Sequence, residues 1–398
     1  MGKNRALRIL IVGYGGGEIT FLNRLVKGLA DAGMQLTVTS QKRTNPLLLK
    51  HPNLQKLKTP AWGGFVLKRL FQLVGLFLTR FSFNRLGWLR MQVKKGKTSR
   101  ERLLYLNRYL PFMRGEWDLV YFPWNGAAIS YQGLYALGMP VVVSCRGSQV
   151  NIRPHLPGQG DFVVSLRKTL KEAAEVHCVS GDIQREAQKY GLDPEKSRII
   201  QPAVDPDYFS PPKTKPENNR LILITTGSFV WSKSYEYLLL ALKNLVQNGV
   251  NAELDILGDG PMRQQVLFGI QDMSLKGRIH LHGRLKPDQV VAHLQEADAF
   301  ALASLSEGIS NAVLEAMSCG LPVVTTDCGG MREAVTDGVE GFIVPLRDPQ
   351  AMAEALAKLA KNPGLRERMG KAGRQRVMAD FNLEGQVNAF VALFTKIS

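Results

Sequence analysis

The sequence predicts an α/β protein made of two doubly wound domains, and three observations lead to this fold class. Short apolar runs recur along the chain and alternate with segments of helical periodicity, a pattern typical of parallel sheets. Glycines follow the first of these runs directly. A stretch rich in Pro, Lys and Asn at 206–220 separates an earlier series of runs from a later one. Two such series joined by a linker indicate two domains.

The overall composition agrees with this fold class. The chain has 398 residues, of which 45% are apolar and 21% charged, so it is long enough for two cored domains and has ordinary globular averages. Collagenous, coiled-coil and disordered chains are excluded. The four cysteines show no CxxC spacing, so we expect reduced core thiols in a cytoplasmic protein.

The chain opens with a predicted strand at 7–12, a glycine loop, an amphipathic helix and a second strand at 36–39. The apolar run is too short for a signal peptide. A glycine-rich turn between strand and helix lets backbone amides approach an anionic or sugar ligand. Glu18 stands where the dinucleotide-binding motif has its third glycine, so that motif is not predicted. The loop glycines are Gly13, Gly15, Gly16 and Gly17.

An uncharged stretch at 119–145 is long enough to cross a bilayer. Pro123, Asn125, Gly138 and Pro140 interrupt it, so we interpret it as strand, helix and strand. Later strands are expected at 141–144, 176–180, 198–201, 221–225, 253–257, 279–282, 299–303, 322–325 and 341–344.

These elements set the expected domain limits. We place the first domain at residues 1–205, the linker at 206–216, the second domain at 217–382 and a final helix at 383–398. Ligands of parallel sheets bind at the carboxyl ends of the strands, so we expect them in the cleft between the domains.

The segment SLSEGISNAVLEAMSCGLPVVTT, residues 304–326, predicts a loop at 306–310 and a helix that begins at Asn311 and ends before Gly320. Free amides of the loop and the first helical turn can hold a diphosphate. Glu307 lies in the loop and Glu315 one turn into the helix, so one carboxylate can face a sugar and the other a ribose diol. The alternative is a loop acid and a solvated helix glutamate.

At this spacing, Glu307 and Glu315 resemble the two-glutamate signature of retaining glycosyltransferases of family 4, which have the GT-B architecture of two Rossmann-like domains facing a cleft. The resemblance covers most of the chain and is weakest between residues 45 and 115. Other similar segments are the glycine loop, GSFVWSKSYEYLL at 227–239, LGDGP at 257–261, HGRL at 282–285, GGMREAV at 329–335 and the segment that closes the first domain.

The resemblance implies that the first domain binds the acceptor, that the second binds the donor, and that the final helix packs on the first domain. It also implies roles for individual residues. Lys233 would contact the donor diphosphate and Glu315 the ribose. Glu307, with the amides of the following loop, would contact the transferred sugar and the phosphates, and the backbone near Arg284 and Leu285 would hold the base. The complete expected substrate-binding set is Gly15, Gly16, Gly17, Ser228, Arg284, Leu285, Gly308, Ile309, Ser310, Asn311 and Glu315, with Glu307, Lys233 and Arg146 as catalytic residues.

Two departures from the family pattern affect these roles. Ser228 stands where the family often has Arg, so Lys233 lacks its usual cationic partner. Arg146 stands where the first domain usually offers His. A guanidinium there can stabilise the leaving diphosphate or clamp an anionic acceptor, and the alternative is a structural Arg beside a helix C-terminus. For Lys233 the alternative is a solvated surface lysine.

Metal binding is not predicted. Asp205 and Asp207 form a DxD string, the metal-binding string of a different transferase fold, but here it lies beside the linker. No HExxH motif is present, and His155 and His282 are expected to be ordinary polar residues. We therefore expect a metal-independent enzyme without a cofactor.

The positive charge is concentrated in the first third of the chain. Residues 1–115 hold 22 Lys/Arg and 3 acids, whereas residues 116–398 hold 29 and 31, so the net charge of +17 arises entirely from the first part. Three interpretations compete: a membrane surface, nucleic acid and a basic exterior. Interleaved Trp and Phe between 56 and 114 favour an anionic membrane surface, and no nucleic-acid motif is present.

The sequence therefore predicts a retaining hexosyltransferase of polysaccharide biosynthesis, peripheral on the cytoplasmic face of the cell membrane. Its expected donor is a nucleotide sugar, with UDP or GDP favoured over ADP, and its expected acceptor is a glycan or glycolipid, such as a lipid-linked or surface-glycan precursor. Two alternatives stay open: a soluble transferase or synthase for a small-molecule acceptor, and a catalytically silent protein that binds sugar nucleotides or lipid surfaces.

Overall fold

The computed structural model describes residues 6–13, 20–40, 50–59, 74, 75, 78, 82–214 and 219–398. The chain divides into two compact units. The first contains Met1–Cys178, Gln184–Ile200 and Val387–Ser398, and the second contains Val179–Ile183 and Gln201–Gln386. Each unit has its own parallel sheet flanked by helices, which confirms the predicted fold class of two doubly wound α/β domains.

The sheet of the first unit has seven strands in the order β3-β2-β1-β4-β5-β6-β7. All its pairs are parallel, and the strand order reverses between β1 and β4, where doubly wound sheets bind ligands. The strands are β1 (Arg8–Ile11), β2 (Gln35–Ser40), β3 (Leu54–Lys58), β4 (Leu119–Phe122), β5 (Val141–Cys145), β6 (Glu175–Cys178) and β7 (Ser197–Ile199).

The sheet of the second unit has six strands in the order β10-β9-β8-β11-β12-β13. These pairs are also parallel, and the order reverses between β8 and β11. The strands are β8 (Leu221–Thr226), β9 (Ala252–Leu257), β10 (Ile279–Gly283), β11 (Ala299–Leu302), β12 (Val323–Thr326) and β13 (Gly341–Val344).

Helices connect the strands in both units. In chain order, they are α1 (Thr20–Asp31), α2 (Leu86–Lys94), α3 (Ser99–Tyr109), α4 (Asn125–Ser130), α5 (Ser148–Asn151), α6 (Gly160–Glu172), α7 (Gly181–Gln188), α8 (Tyr235–Gln247), α9 (Arg263–Asp272), α10 (Pro287–Glu296), α11 (Asn311–Ser318), α12 (Met331–Ala334), α13 (Pro349–Lys361), α14 (Pro363–Asp380) and α15 (Leu383–Ile397). Short 3-10 turns occur at Phe83–Arg85, Leu110–Phe112, Gln132–Leu137, Arg153–His155, Pro194–Lys196 and Trp231–Lys233.

The last helix shows how the sequence positions an element. The sequence LEGQVNAFVALFTKI of α15 repeats apolar residues at helical spacing, and Phe390 and Phe394 are fully buried. Both rings pack on Tyr121 of β4, with centroids 5.6 and 5.3 Å away. Lys396 Nζ lies 3.1 Å from the carboxylate of Glu175 in β6. Residues 387–398 therefore belong to the core of the first unit.

The four cysteines are buried and free, as the sequence predicted. The uncharged stretch at 119–145 forms β4, α4, a 3-10 turn and β5, which confirms the predicted strand, helix and strand. Within the described ranges, no helix has both the length and the apolar composition that a bilayer crossing requires.

The sequence analysis missed one strand, β3. Its sequence LQKLK contains two lysines and only two leucines, and Leu54 and Leu57 point into the core while Gln55 and Lys58 are exposed. β3 lies at the edge of the sheet, where such polar residues are typical. Of the basic and aromatic segment between 56 and 114, the structure describes residues 56–59, 74, 75, 78 and 82–114.

Candidate active site

Five loops leave the carboxyl edge of the second sheet, one from each of β8 to β12. Backbone hydrogen bonds join neighbouring loops: the amide of Phe229 donates to the carbonyl of Asp259 at 3.2 Å, and that of Leu305 donates to Ser232 at 2.8 Å. The amide of Gly330 donates to Gly308 at 2.7 Å. The loops therefore form one connected layer above the strand ends, and this layer contains most of the predicted donor-binding residues.

Lys233 and Glu307 meet in this layer. Lys233 Nζ donates to Glu307 Oε1 at 2.6 Å, and only 19% and 14% of the two side chains are exposed. Lys233 ends the Trp231–Lys233 turn, and Ser234 follows in the left-handed conformation with φ of 47°. Lys233 is thus not a solvated surface lysine, because its ammonium is held against a partly buried carboxylate.

Two glycines allow the final loop to approach Glu307. A Cβ atom added at Gly329 would overlap with the carbonyl oxygen of Glu307, and one added at Gly330 would overlap with that of Gly308. Gly329 also has φ of +54°, which side chains other than glycine rarely adopt. The GGMREAV segment therefore fixes the position of the Glu307 loop through backbone contact.

The loop that carries Glu307 ends in α11. Ser310 precedes the helix with extended backbone and its side chain makes no capping hydrogen bond. Gly308, Ile309 and Ser310 are buried, and Glu315 lies one turn into the helix, partly buried. In the described part of the chain, Ser304 Oγ and Asn311 Oδ1 are buried and have no hydrogen-bond partner. Buried polar atoms are nearly always paired, so two unpaired atoms in one loop and helix start are unusual.

The charge of Glu307 also affects two neighbouring groups. The hydroxyl of Tyr235 donates to the carbonyl of Gly227 at 3.0 Å, and burial, with a smaller contribution from Glu307, raises its pKa well above the usual range. Burial and the Glu307 charge raise the pKa of the Cys328 thiol to about 12. Both groups are therefore neutral near pH 7, which leaves Lys233 and Glu307 as the charged pair of this pocket.

The other predicted residues differ in their surroundings. Ser228 and Arg284 are exposed at the ends of β8 and β10, and Leu285 packs partly against the core. Gly15, Gly16 and Gly17 lie outside the described residues. Asp205 Oδ1 accepts hydrogen bonds from the amides of Asp207 and Tyr208, at 3.1 and 3.2 Å, so the DxD string closes a turn.

In the first unit, Arg146 follows β5 and is partly buried. Its guanidinium carbon lies 4.8 Å from the ring centroid of Phe21 and 5.7 Å from that of Trp124. Nε donates to the carbonyl of Pro123 at 3.0 Å, and Nη2 donates to the Tyr121 hydroxyl at 3.4 Å. Pro123 follows a strand, so Arg146 does not pair with a helix C-terminus as the alternative interpretation expected. Nη1 forms no hydrogen bond within the described ranges.

Sequence analysis did not identify the polar chain behind Arg146. The Tyr121 hydroxyl lies 2.8 Å from Ser144 Oγ, Ser144 Oγ lies 2.7 Å from His177 Nδ1, and His177 Nε2 lies 2.7 Å from the carbonyl of Ile200. Burial, with a smaller contribution from the Arg146 charge, lowers the pKa of His177 to about 3. A neutral His177 donates from Nε2 and accepts at Nδ1, so the chain has one consistent direction of donation from Arg146 to Ile200. The only sequence signal was a set of polar residues inside otherwise apolar strands.

Two family models match successive parts of the chain. Residues 14–208 match the family model described as Glycosyltransferase Family 4, and residues 209–376 match the model described as Glycosyl transferases group 1. The putative colanic acid biosynthesis glycosyltransferase WcaL of Salmonella typhimurium is 32% identical over 199 residues, which are 48% of this chain and 49% of WcaL.

Two further proteins extend the comparison. The UDP-Gal:alpha-D-GlcNAc-diphosphoundecaprenol alpha-1,3-galactosyltransferase of Escherichia coli is 29% identical over 51% of this chain and 55% of that protein. The chain spans about half the length of the curated relatives it matches. The structure of Anabaena HepE in complex with UDP and glucose superposes with a TM-score of 0.72 at 15% identity, covering 98% of this chain and 99% of HepE.

The likeness to HepE concerns the fold alone, because the identity is low. The two family models, in contrast, follow one another along nearly the whole chain, and each falls on one of the two sheets described above. The chain therefore has the GT-B fold, with a first part that matches the Glycosyltransferase Family 4 model and a second part that matches the Glycosyl transferases group 1 model.

Proposed function

We propose that the protein is a retaining, metal-independent glycosyltransferase that moves a sugar from a nucleotide donor to a glycan or glycolipid acceptor. The observation that carries this proposal is the Lys233–Glu307 pair, set among loop amides and beside the unpaired buried atoms Ser304 Oγ and Asn311 Oδ1. A cation, free amides and hydrogen-bond acceptors suit a diphosphate joined to a sugar.

In the proposed reaction, the bond between the sugar C1 and the donor diphosphate breaks, and a bond from the acceptor oxygen to C1 forms on the same face. The proton of the acceptor hydroxyl ends on the departing phosphate. Negative charge therefore develops on the diphosphate, where Lys233 Nζ stabilises it. An ammonium has three donors, so Nζ can keep its bond to Glu307 while it contacts a phosphate oxygen.

Four residues of the second unit receive roles in binding the donor. Glu307 faces the hydroxyls of the transferred sugar, Glu315 binds the ribose, and the backbone at Arg284 and Leu285 holds the base. Among donors, UDP sugars are favoured, because the Escherichia coli relative is named for a UDP-galactose donor. We also propose that the first domain ends at residue 205 and the second at residue 382.

We propose that Arg146, in the first domain, contacts either an anionic acceptor or the departing diphosphate. The rings of Phe21 and Trp124 hold its guanidinium, and Nη1 is left to reach a ligand. A rigid guanidinium can clamp a phosphate bidentately, which suits an acceptor linked through a diphosphate. The name of the Escherichia coli relative includes such an acceptor, a diphosphoundecaprenol-linked GlcNAc.

The proposed location is the cytoplasmic face of a membrane, with peripheral attachment through the basic first part of the chain. Large apolar side chains are exposed there: Leu78 is 72% exposed, Phe83 82% and Met91 47%. Exposed apolar groups among lysines and arginines are typical of interfacial segments. If the protein does not bind lipid, we infer a soluble acceptor instead.

The test compares Lys233→Ala with Lys276→Ala, a matched removal of an exposed lysine in the same unit. Turnover and binding of UDP and GDP sugars are measured for both. We expect Lys233→Ala to reduce the rate at least about tenfold, equal to about 1.4 kcal/mol, because no second cation at position 228 replaces it. Lys276→Ala should behave as wild type. Equal rates for wild type and Lys233→Ala would refute the assigned role, and binding without any transfer would favour the catalytically silent protein.

A further inference from the structure

Three potential metal ligands meet in the second unit, and none of them is among the proposed donor-binding residues, although His282 lies two positions before Arg284. Asp255 lies in β9, His282 in β10 and His293 in α10. Each offers one ligand atom, and the three atoms all lie within 4.8 Å of one another. His282 Nε2 is 2.8 Å from Asp255 Oδ1, and the two imidazole rings have centroids 4.3 Å apart.

The surroundings make this cluster unusual. Side chains alternate across a strand, and on this face the neighbouring strands β8 and β11 present apolar residues such as Ile224 and Phe300 to the core. α10 covers the same face with Val290 and Leu294. The polar cluster therefore replaces an apolar contact at the β9–β10 edge. All three of its residues are only partly exposed.

His293 differs from the other two members of the cluster in its hydrogen bonding. His282 is paired with Asp255, whereas the ring nitrogens of His293 form no hydrogen bond with any residue that the structure describes. The His293 ring instead lies against the His282 ring at an interplanar angle of 48°. A carboxylate only accepts, so His282 Nε2 donates to Asp255 in the metal-free protein, and a bound metal replaces this proton. The lone pairs of two adjacent imidazoles and a carboxylate then meet in one small volume.

The chemistry of the three coordinating side chains indicates which metal ion would bind. Magnesium and calcium prefer oxygen ligands, whereas imidazole nitrogens with one carboxylate suit zinc and similar divalent transition metals. Zinc at about 2.0–2.1 Å from each atom needs ligands about 3.3 Å apart, so the spread of up to 4.8 Å closes with small side-chain rotations. Two histidines and one carboxylate leave a further position for water.

We propose that Asp255, His282 and His293 form a binding site for a divalent transition metal such as Zn²⁺. The metal links two strands and a helix at the sheet edge, where β10 pairs with β9 alone. The site is not needed for the proposed transfer reaction, and its expected effect is on stability. This proposal differs from the sequence-based expectation that His282 is an ordinary polar residue and that the protein binds no metal.

The experiment uses the full chain without a polyhistidine tag, stripped with a chelator and then dialysed. Zn²⁺ is titrated calorimetrically, Co²⁺ binding is followed by its visible absorption, and the Tm is measured with and without Zn²⁺. We expect one Zn²⁺ per chain and a higher Tm in its presence, since a ligand that binds the folded state stabilises it. His293→Ala and Asp255→Asn should each weaken binding at least about 100-fold.

The matched control is His280→Ala. His280 lies in the same strand, 6.5 Å from the His282 ring between centroids, and pairs with Glu253 at 3.0 Å outside the cluster. The His280→Ala variant should bind Zn²⁺ as tightly as wild type does. The proposal is wrong if the stripped protein binds no stoichiometric Zn²⁺, or if His293→Ala and Asp255→Asn, both folded by circular dichroism, bind Zn²⁺ as tightly as His280→Ala.

Discussion

At the scale of single residues, the proposed donor site depends on the contact between Lys233 and Glu307. The family resemblance indicated both residues, but 74 positions separate them in the chain and no local pattern could show that they meet. The same limit applies to the environment of Arg146, since Phe21 and Trp124 flank it only through tertiary folding. Residue types were therefore predictable, whereas partners and protonation states needed the structure.

The two glutamates should affect different kinetic constants. Glu315→Ala should mainly weaken nucleotide binding, because its proposed partner is the ribose. Glu307→Ala should mainly lower kcat, because its proposed partner is the transferred sugar and its loss also releases Lys233. Calorimetric titration of the nucleoside diphosphate and steady-state kinetics separate these effects. If both folded variants keep wild-type constants, the assignment of the pair is wrong.

His177 should make stability depend on pH. The ordinary pKa of 6.5 applies to the unfolded chain, whereas burial lowers the pKa in the folded state to about 3. Between these values the unfolded state binds more protons, so the free energy of unfolding falls as the pH falls. From pH 7 to pH 5 this one group should account for about 2 kcal/mol.

The measurement is urea denaturation of wild type and His177→Gln at pH 7 and pH 5. The variant should lose less stability on acidification than wild type does. His155→Gln, which changes a largely exposed histidine in the same unit, controls for the loss of an imidazole and should retain the wild-type difference. Equal pH dependence in all three proteins would show that His177 is not held neutral.

At the scale of elements, the apolar runs predicted the strands well because buried parallel strands are continuous apolar segments. β4 and β13 begin and end at the predicted residues, and β8 to β12 differ by one residue at one or both ends. β3 was missed because an edge strand tolerates lysines. The close contacts among loops could not be predicted, since a glycine's neighbour depends on how two loops meet.

The contact between the Gly329 and Glu307 loops should be sensitive to one methyl group. Gly329→Ala places a Cβ onto the Glu307 carbonyl oxygen in addition to its left-handed backbone strain. The Glu307 loop must then move, so we expect a loss of transfer activity of at least about tenfold, from about 1.4 kcal/mol of lost transition-state stabilisation.

Gly338→Ala is the matched control, because Gly338 has φ of +81° and no atom within 4 Å of the added Cβ. It should cost only the backbone strain, about 1–2 kcal/mol of folding free energy, and leave turnover unchanged. Thermal melts and kinetics of the two variants distinguish the effects. Equal activity in both variants would show that the loop contact does not position Glu307.

At the scale of the whole molecule, charge is divided along the chain. The excess of basic residues lies before residue 116, and the remainder is nearly neutral. We expect the protein to sediment with anionic liposomes at low salt and to be released as salt rises, because screening weakens the electrostatic attraction. Charge reversal of Lys94, Lys95 and Lys97 to Glu should weaken sedimentation, whereas Glu315→Ala should bind lipid normally.

Failure of the wild-type protein to sediment at low salt would contradict membrane attachment and favour a soluble acceptor. This result would leave the donor reaction unaffected, since the donor residues lie in the second unit. A chelator should lower the Tm without abolishing transfer, because none of the three proposed metal ligands is among the proposed donor residues. Loss of transfer on chelation would contradict the metal-independent reaction.

The most direct test of the proposed activity follows the sugar released from a panel of UDP, GDP and ADP sugars when water replaces the acceptor. Time-resolved proton NMR identifies which anomer forms first. The account predicts that an α-linked donor, most readily a UDP sugar, yields nucleoside diphosphate and first the α-anomer, with Lys233→Ala at least about tenfold slower. Initial formation of the β-anomer would contradict retention, and no release or transfer from any donor would contradict a glycosyltransferase activity.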